Sequence, residues 1–435
     1  MRLFGSSGIR GRFNDLITPE LVCRIGQAVG SLHNETVVGW DVRTTSPLLA
    51  NAAISGLLSA GCNAYSVGMV STPTLANAAR EYGAGIMITA SHNPPMDNGV
   101  KLWNPDGSSF GTDQMTAVEE LILGKSMAMV PWDKVGQLKY IDWAIERHVK
   151  RISENIGKLD AKVVVDCGNG AATTITPELL RKLGCEVITI NCQPDGSFPG
   201  RGSEPTEENT KPLAKLVVEE GADLGIAHDG DGDRMVAVDD RGNFAGGDVL
   251  MPLLCKAEGK TRVVVPVNAS MAVDRYLEGI EVVRCRVGDV YVSEKIKETN
   301  ADFGAEPSGT WVFPKMSYCP DGVYAAARLV QMAMERPLSE QLAEIPKLTI
   351  MKKRLYMPLD RKAEVMAAVA DKIRTLGPTE ISEMDGVRAV FDGGWMLLRP
   401  SGTEPKLKLV VEAETVERTK QLYDIAMEIM KEVLE

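Results

Sequence analysis

Paired cysteines are missing from this sequence. Its eight cysteines, at 23, 62, 167, 185, 192, 255, 285 and 319, never fall into a CxxC. That speaks against a zinc ribbon or a disulfide framework and leads to an expectation of reduced thiols in a cytoplasmic setting. No apolar run reaches the length of a membrane span, and the opening MRLFGSSGIRG has no apolar h-region, so neither a span nor a leader is expected. Positive charge is in the minority: 48 Lys and Arg against 59 Asp and Glu give a net charge of −11. Nucleic acid and acidic membrane surfaces are therefore not expected partners, although a few local cations suffice to hold an anionic substrate. The glycines of FGSSGIRGRF (4–13) follow neither a Walker nor a dinucleotide-binding pattern,. Arg10 within that stretch suits a phosphate or simply the surface.

Histidine is scarce, with four in 435 residues. His33 and His148 fall in helical stretches with no expected chemistry, and His228 flanks an acidic loop that it is placed to orient. His92 directly follows Ser91 in ITASHNPPMDNG (88–99). A protease-like pair is excluded there, because adjacent side chains in extended backbone point to opposite faces and a general base must reach the serine oxygen.

What is present is repetition. TVVGWDVRTTS (36–46), KVVVDCGNGAA (162–172) and RVVVPVNASMA (262–272) each run a β-branched strand into a small-residue loop. A helical stretch and a second strand follow each, and then a third strand and loop: AGIMITASHNP (84–94), ADLGIAHDGDGD (222–233) and ADFGAEPSGTW (301–311). Strands alternating with helices predict three α/β domains with largely parallel sheets, near 1–145, 146–246 and 247–346. Ligands bind at the carboxyl ends of strands in such sheets, so the three third loops are expected to line one cleft. After EIPKLTIMKKR the pattern changes to a smaller α+β domain, 347–435. Its strands flank a loop within GWMLLRPSGTEPKLKLVVEAE, with Leu407, Leu409 and Val411 on one face. Leu422, Ile425, Ile429 and Val433 follow at helical spacing,.

The sharpest chemical signal is HDGDGDR (228–234). Asp229, Asp231 and Asp233 alternate, so extended backbone aims them the same way, roughly 7 Å apart per step. Each neighbouring pair then repels by about 2 kcal/mol at an effective dielectric of about 20. A divalent cation relieves that repulsion, and three carboxylates with open positions suit octahedral Mg²⁺. An EF-hand is excluded, because Arg234 stands where its loop needs glycine and the flanks look like strands,. RPSGTEPKLKL (399–409) puts Arg399, Ser401, Gly402 and Thr403 in one turn, which suits a phosphate cradle or an ordinary polar hairpin. Glu306 and Ser308, on a loop stiffened by Pro307, suit paired sugar hydroxyls or a plain Pro-Gly turn. Ser91, lacking a base for acyl chemistry, is expected to accept a phosphoryl group, with His92 as an orienting partner.

These loops carry a resemblance. GxRG, TASHNPxxxNGxK, DGDGDR, ExSG and RxSGTEP occur in the order of the α-D-phosphohexomutases, and the chain resembles that family over essentially its whole length. The resemblance implies three related α/β domains with mixed sheets and a smaller C-terminal α+β domain around a central cleft. It implies a mutase that carries a phosphoryl group on Ser91 and moves it between O6 and O1 of a hexose phosphate through a bound 1,6-bisphosphate. Mg²⁺ would be held by the serine phosphate with Asp229, Asp231 and Asp233. Arg10 and Lys101 would flank the phosphoserine, with Lys101 as general acid/base. Glu306 and Ser308 would grip ring hydroxyls, and Arg234, Arg399, Ser401, Gly402 and Thr403 would bind substrate, the last four at its non-reacting phosphate.

EPSGTW with RPSGTEP is most similar to archaeal-type phosphoglucosamine mutases, so glucosamine 6-phosphate is the expected substrate. Relatives acting on mannose, glucose or pentose phosphates share the loops. A Mg²⁺-dependent sugar-phosphate phosphatase is the competing class. Many members have GGExSGH where this chain has GAEPSGT, so Ala305 and Thr310 replace a glycine and a histidine. The likeness also suggests a homodimer through the first domain.

Overall fold

The computed structural model describes residues 3–5, 8–124, 127–401 and 405–434. Three mixed α/β sheets and a fourth, antiparallel one follow one another along the chain. The first sheet contains β1 (Ile9–Arg12), β2 (Glu35–Trp40), β3 (Asn63–Met69), β4 (Ala84–Ile88), β5 (Asp97–Trp103) and β6 (Leu138–Tyr140), in the order β1-β5-β4-β2-β3-β6. The second has β7 (Lys162–Asp166), β8 (Glu186–Ile190), β9 (Leu224–His228), β10 (Met235–Val238) and β11 (Phe244–Ala245), ordered β11-β10-β9-β7-β8. The third has β12 (Arg262–Pro266), β13 (Glu281–Cys285), β14 (Phe303–Glu306) and β15 (Thr310–Val312), ordered β13-β12-β14-β15.

In each unit the first two strands of the repeat, β2 and β3, β7 and β8, or β12 and β13, pair parallel across a helix: Ser46–Ser59, Thr176–Leu183 or Ala272–Tyr276. The third strand pairs parallel to the first and then turns back into an antiparallel partner, giving the hairpins β4–β5, β9–β10 and β14–β15. The sheets are therefore mixed, where strand–helix alternation alone suggested largely parallel ones. The reversal matters for the site. A tight hairpin replaces the helical crossover at the carboxyl end of the third strand, and each of the three motif loops occupies that hairpin.

The fourth sheet, β16 (Thr349–Tyr356), β17 (Glu380–Ser382), β18 (Val387–Phe391), β19 (Gly394–Pro400) and β20 (Lys406–Ala413), is antiparallel throughout, in the order β16-β20-β19-β18-β17. Leu407, Leu409 and Val411 lie on its buried face with Leu422, Ile429 and Val433 of the helix Val416–Leu434, as the period-2 and helical patterns require,. The first sheet has its own apolar cluster, whereas one continuous cluster from Val149 to Ile345 serves the second and third. The helix Gly322–Glu335 packs against strands of both. Among the described residues no helix is long and apolar enough to cross a membrane.

Candidate active site

Ser91 sits in the β4–β5 hairpin, buried, with φ at +53°. Left-handed backbone costs a non-glycine residue roughly 1–2 kcal/mol, so the loop must be held from outside. Its Oγ donates to Asp229 Oδ2 at 2.6 Å and lies 3.3 Å from His92 Nδ1. Asp229 belongs to the β9–β10 hairpin, so the first two units meet at this bond.

The glycines of DGDGD make the approach possible. A Cβ at Gly230 would stand 2.5 Å from the Ser91 carbonyl oxygen, and Gly232 has φ at +73°. Asp229 Oδ1 accepts the N–H groups of Gly232 and Arg234, both at 3.1 Å. Asp231 Oδ2 accepts Thr72 Oγ1 at 2.6 Å and Lys101 Nζ at 2.8 Å, and Asp233 Oδ2 accepts Lys101 Nζ at 2.6 Å.

The three aspartates can each present a carboxylate oxygen within 4.8 Å of the other two. Among the described residues, Asp231 Oδ1 and Asp233 Oδ1 are buried without a hydrogen-bond partner. Orphaned buried anionic oxygens are costly, and a small divalent cation among them removes the cost, so the donor set fits Mg²⁺. Burial pushes Asp229 well above the usual carboxylate range, and the charges of Asp233 and Asp231 add to it. Asp231 is held below that range: burial opposes this, but the charge and hydrogen bond of Lys101 prevail. Lys101 is correspondingly raised, because Asp231 and Asp233 outweigh its burial.

Arg10 and Lys101 share a sheet face. Arg10 on β1 is opposite Gly99 of β5, two residues from Lys101, and its Nε is buried with no partner among the described residues. Burial, helped by the charges of Arg234 and Arg10, lowers His92 to about 2. His92 is thus a neutral imidazole beside the serine.

Arg234 forms an isolated bridge with Thr310, joining the second and third hairpins. Burial alone would lower it, yet the charges of Asp229, Asp233 and Glu306 leave it raised. Glu306, at the end of β14, accepts the Gly288 N–H at 2.8 Å. Burial pushes its carboxyl up to about 7, Asp289 adds to that, and Arg234 and Arg399 oppose it. Ser308 is exposed, with Oγ 3.0 Å from Thr310 Oγ1. Ser308 and Thr310 thus form a hydroxyl pair at the third hairpin.

Arg399, at the end of β19, binds Asp385 at 3.0 Å, and the Ser401 N–H donates to Lys406 O at 2.8 Å. Gly402 and Thr403 lie outside the described residues. Charge links these groups in pairs: Asp229 and Glu306 both act on Arg234, and Arg399 acts on Glu306.

Models described as phosphoglucomutase/phosphomannomutase alpha/beta/alpha domains I, II and III match residues 1–128, 139–242 and 247–348, and the C-terminal domain of the same family matches 354–429. The chain belongs to the phosphoglucomutase/phosphomannomutase family. A "Probable phosphoglucosamine mutase" of Methanosarcina barkeri is 50% identical over 437 residues, covering 100% of both chains. One of Methanopyrus kandleri is 44% identical over 449 residues, covering 100% of this chain and 99% of its own. The X-ray structure of a phosphoglucomutase/phosphomannomutase family protein from Burkholderia thailandensis has a TM-score of 0.89 at 27% identity, covering 99% of this chain and 97% of that one. As a phosphohexomutase of the archaeal phosphoglucosamine mutase type, the protein is an isomerase.

Two residues of this phosphohexomutase site escaped the motif reading. Thr72 begins a helix in the first unit, and both its N–H and its hydroxyl bind Asp231. Asp385 precedes β18 and accepts both Arg399 and the Val287 N–H, the latter at 3.0 Å. The Thr-Pro helix start at 72 and the Asp-Gly turn at 385–386, which joins β17 to β18, are local signals, and both are structural,.

Proposed function

We propose that this phosphohexomutase interconverts glucosamine 6-phosphate and glucosamine 1-phosphate, with Ser91 as the phosphoryl carrier. The observation that carries the reading is the 2.6 Å contact of Ser91 Oγ with Asp229, beside two carboxylate oxygens that lack partners among the described residues. The substrate follows relatives of 40–50% identity that are each described as a "Probable phosphoglucosamine mutase".

In the first half-reaction the phosphoryl group of phosphoserine 91 passes to the sugar's O1: the P–O bond to Ser91 Oγ breaks, one to O1 forms, and O1 loses its proton. The 1,6-bisphosphate then turns over in the cleft. Its O6 phosphoryl returns to Ser91, and O6 takes up a proton. Catalysis of such transfers is mostly positioning and neutralisation of charge on the equatorial oxygens. Asp229, Asp231 and Asp233 would hold Mg²⁺, which when bound supplies positive charge to the phosphoryl oxygens. Arg10 and Lys101 add to that charge, and Lys101, on β5 beside the loop, is assigned the proton.

Glu306 and Ser308 orient the ring hydroxyls. Arg234, between the aspartates and Glu306, faces the phosphoryl in transit. Arg399 and Ser401, with Gly402 and Thr403, hold the phosphate that is not reacting. His92 orients the Ser91 hydroxyl as a neutral partner. A grip on a second phosphate suits a mutase, since hydrolysis needs no reoriented intermediate.

The test compares kcat/KM for glucosamine, glucose and mannose 6-phosphates with the matching 1,6-bisphosphate present. A clear preference for the amino sugar is expected. Equal rates for all three would overturn the substrate assignment, and indifference to bisphosphate would overturn the mutase cycle.

A further inference from the structure

Arg43 lies in the loop after β2 and is fully buried (0% exposed), so it has no surface to offer a substrate. Its Nε meets Asp41 Oδ2 at 3.0 Å. Nη1 donates to the carbonyls of Pro94 at 2.6 Å and Asp97 at 2.9 Å, and Nη2 to those of Ser91 at 2.8 Å and Asn93 at 2.7 Å. All four carbonyls belong to the hairpin that carries Ser91. Carbonyl oxygens gathered from one tight loop repel each other, and only a planar fork of several donors satisfies four of them in fixed directions.

The other side of the serine is tied to the same pair. Asp41 accepts Thr89 Oγ1 at 2.7 Å, and Thr89 Oγ1 in turn accepts the Ser91 N–H at 2.9 Å. Ser91 therefore has its C=O fixed by Arg43 and its N–H fixed through Thr89 and Asp41, on either side of a left-handed φ. Asp41 is steadied further by Ser46 Oγ at 2.6 Å and the Arg43 N–H at 3.0 Å. The Phe198 ring of the second unit stacks 5.1 Å from the guanidinium, and Ser203 Oγ donates to the carbonyls of His92 and Asn93.

We propose that Arg43 is a positioning residue for phosphoryl transfer: it locks the backbone of the serine hairpin in the one conformation that aims Ser91 Oγ at Asp229. The proposal rests on Ser91 as the phosphoryl carrier. Binding of the sugar, which uses the third and fourth units, does not involve Arg43.

The experiment loads Ser91 from glucose 1,6-bisphosphate with Mg²⁺ in a single turnover, followed by intact mass and peptide mapping, for wild type, Arg43→Lys and Thr89→Val. Steady-state constants and thermal midpoints are measured alongside. Lysine keeps the charge and loses the fork, so loading and kcat fall about 100-fold while KM for the sugar phosphate stays within about twofold. Thr89→Val, which removes one tie and little volume, slows loading by about tenfold. A folded Arg43→Lys that loads at the wild-type rate overturns the proposal, as does a defect confined to KM. If Arg43→Lys does not fold, Thr89→Val decides, and wild-type loading in that variant overturns it. A phosphoryl group mapped in the wild type to a residue other than Ser91 overturns the carrier assignment instead.

Discussion

Ser91 Oγ and Asp229 Oδ2 stand 2.6 Å apart although 138 positions separate them in the chain. The hydroxyl assigned to carry the phosphoryl thus already touches the carboxylate assigned to hold the metal, and no movement of the first two units is needed for them to meet. Ser91→Ala is expected to abolish turnover while leaving sugar-phosphate affinity, measured calorimetrically, within about threefold. Intact mass of the wild type should show a fraction heavier by one phosphoryl group, absent from the variant. Full activity in Ser91→Ala would end the mechanism.

Removing Mg²⁺ by strong chelation should stop the reaction, because none of the described residues satisfies Asp231 Oδ1 and Asp233 Oδ1. A ligand that binds only the folded state stabilises it, by about 2.7 kcal/mol at 100 times its Kd. Titrating Mg²⁺ into the stripped protein should therefore raise the thermal midpoint, and Asp233→Asn should reduce that rise. An unchanged midpoint in wild type across millimolar Mg²⁺ would argue against a cation at the aspartates.

Glu306 sets a pH dependence. Burial first, and Asp289 second, raise it to about 7, against a usual 4.5. Sugar hydroxyls donate to an ionised carboxylate, so kcat/KM should climb as pH rises toward about 7 and level off above it. Glu306→Gln should flatten that limb relative to wild type. For the ligand-free protein the sign is opposite. The folded state holds the proton between pH 4.5 and about 7, so this group's contribution to stability is present below 4.5 and lost as pH rises through that window. His92, lowered to about 2, should add no limb between pH 5 and 9.

Arg399 is held by Asp385, which also anchors the Val287 N–H next to the Gly288 that supports Glu306. Asp385→Asn loses the ion pair and keeps most of the shape. We expect KM for the sugar phosphate to rise about three- to tenfold with kcat changed less, since a preorganised guanidinium binds a phosphate at lower cost. A fall in kcat with KM unchanged would place Asp385 in another role.

Legibility followed the range of the interactions. The β-branched strands that open each unit, and the stripe Leu407, Leu409 and Val411, were readable because period and burial are local matters. DGDGD was readable because alternating like charges separated by glycine are costly without a cation. The antiparallel return after β4, β9 and β14 was not, since a short buried strand looks the same in either direction and only its pairing partner decides. Arg43, Thr72 and Asp385 stayed hidden for a related reason: each acts on a backbone or side chain that folding brings to it from elsewhere.

Local composition therefore determined the three repeated α/β units, the antiparallel tail and the serine, aspartate, glutamate and arginine loops, because each rests on residues adjacent in the chain. Tertiary structure alone decided that Ser91 meets Asp229, that Lys101 spans Asp231 and Asp233, and that one buried guanidinium gathers four carbonyls of a single hairpin. The physical reason is that a hydrogen bond or ion pair depends on separation in space, and residues far apart in the chain acquire a fixed separation only when their sheets pack.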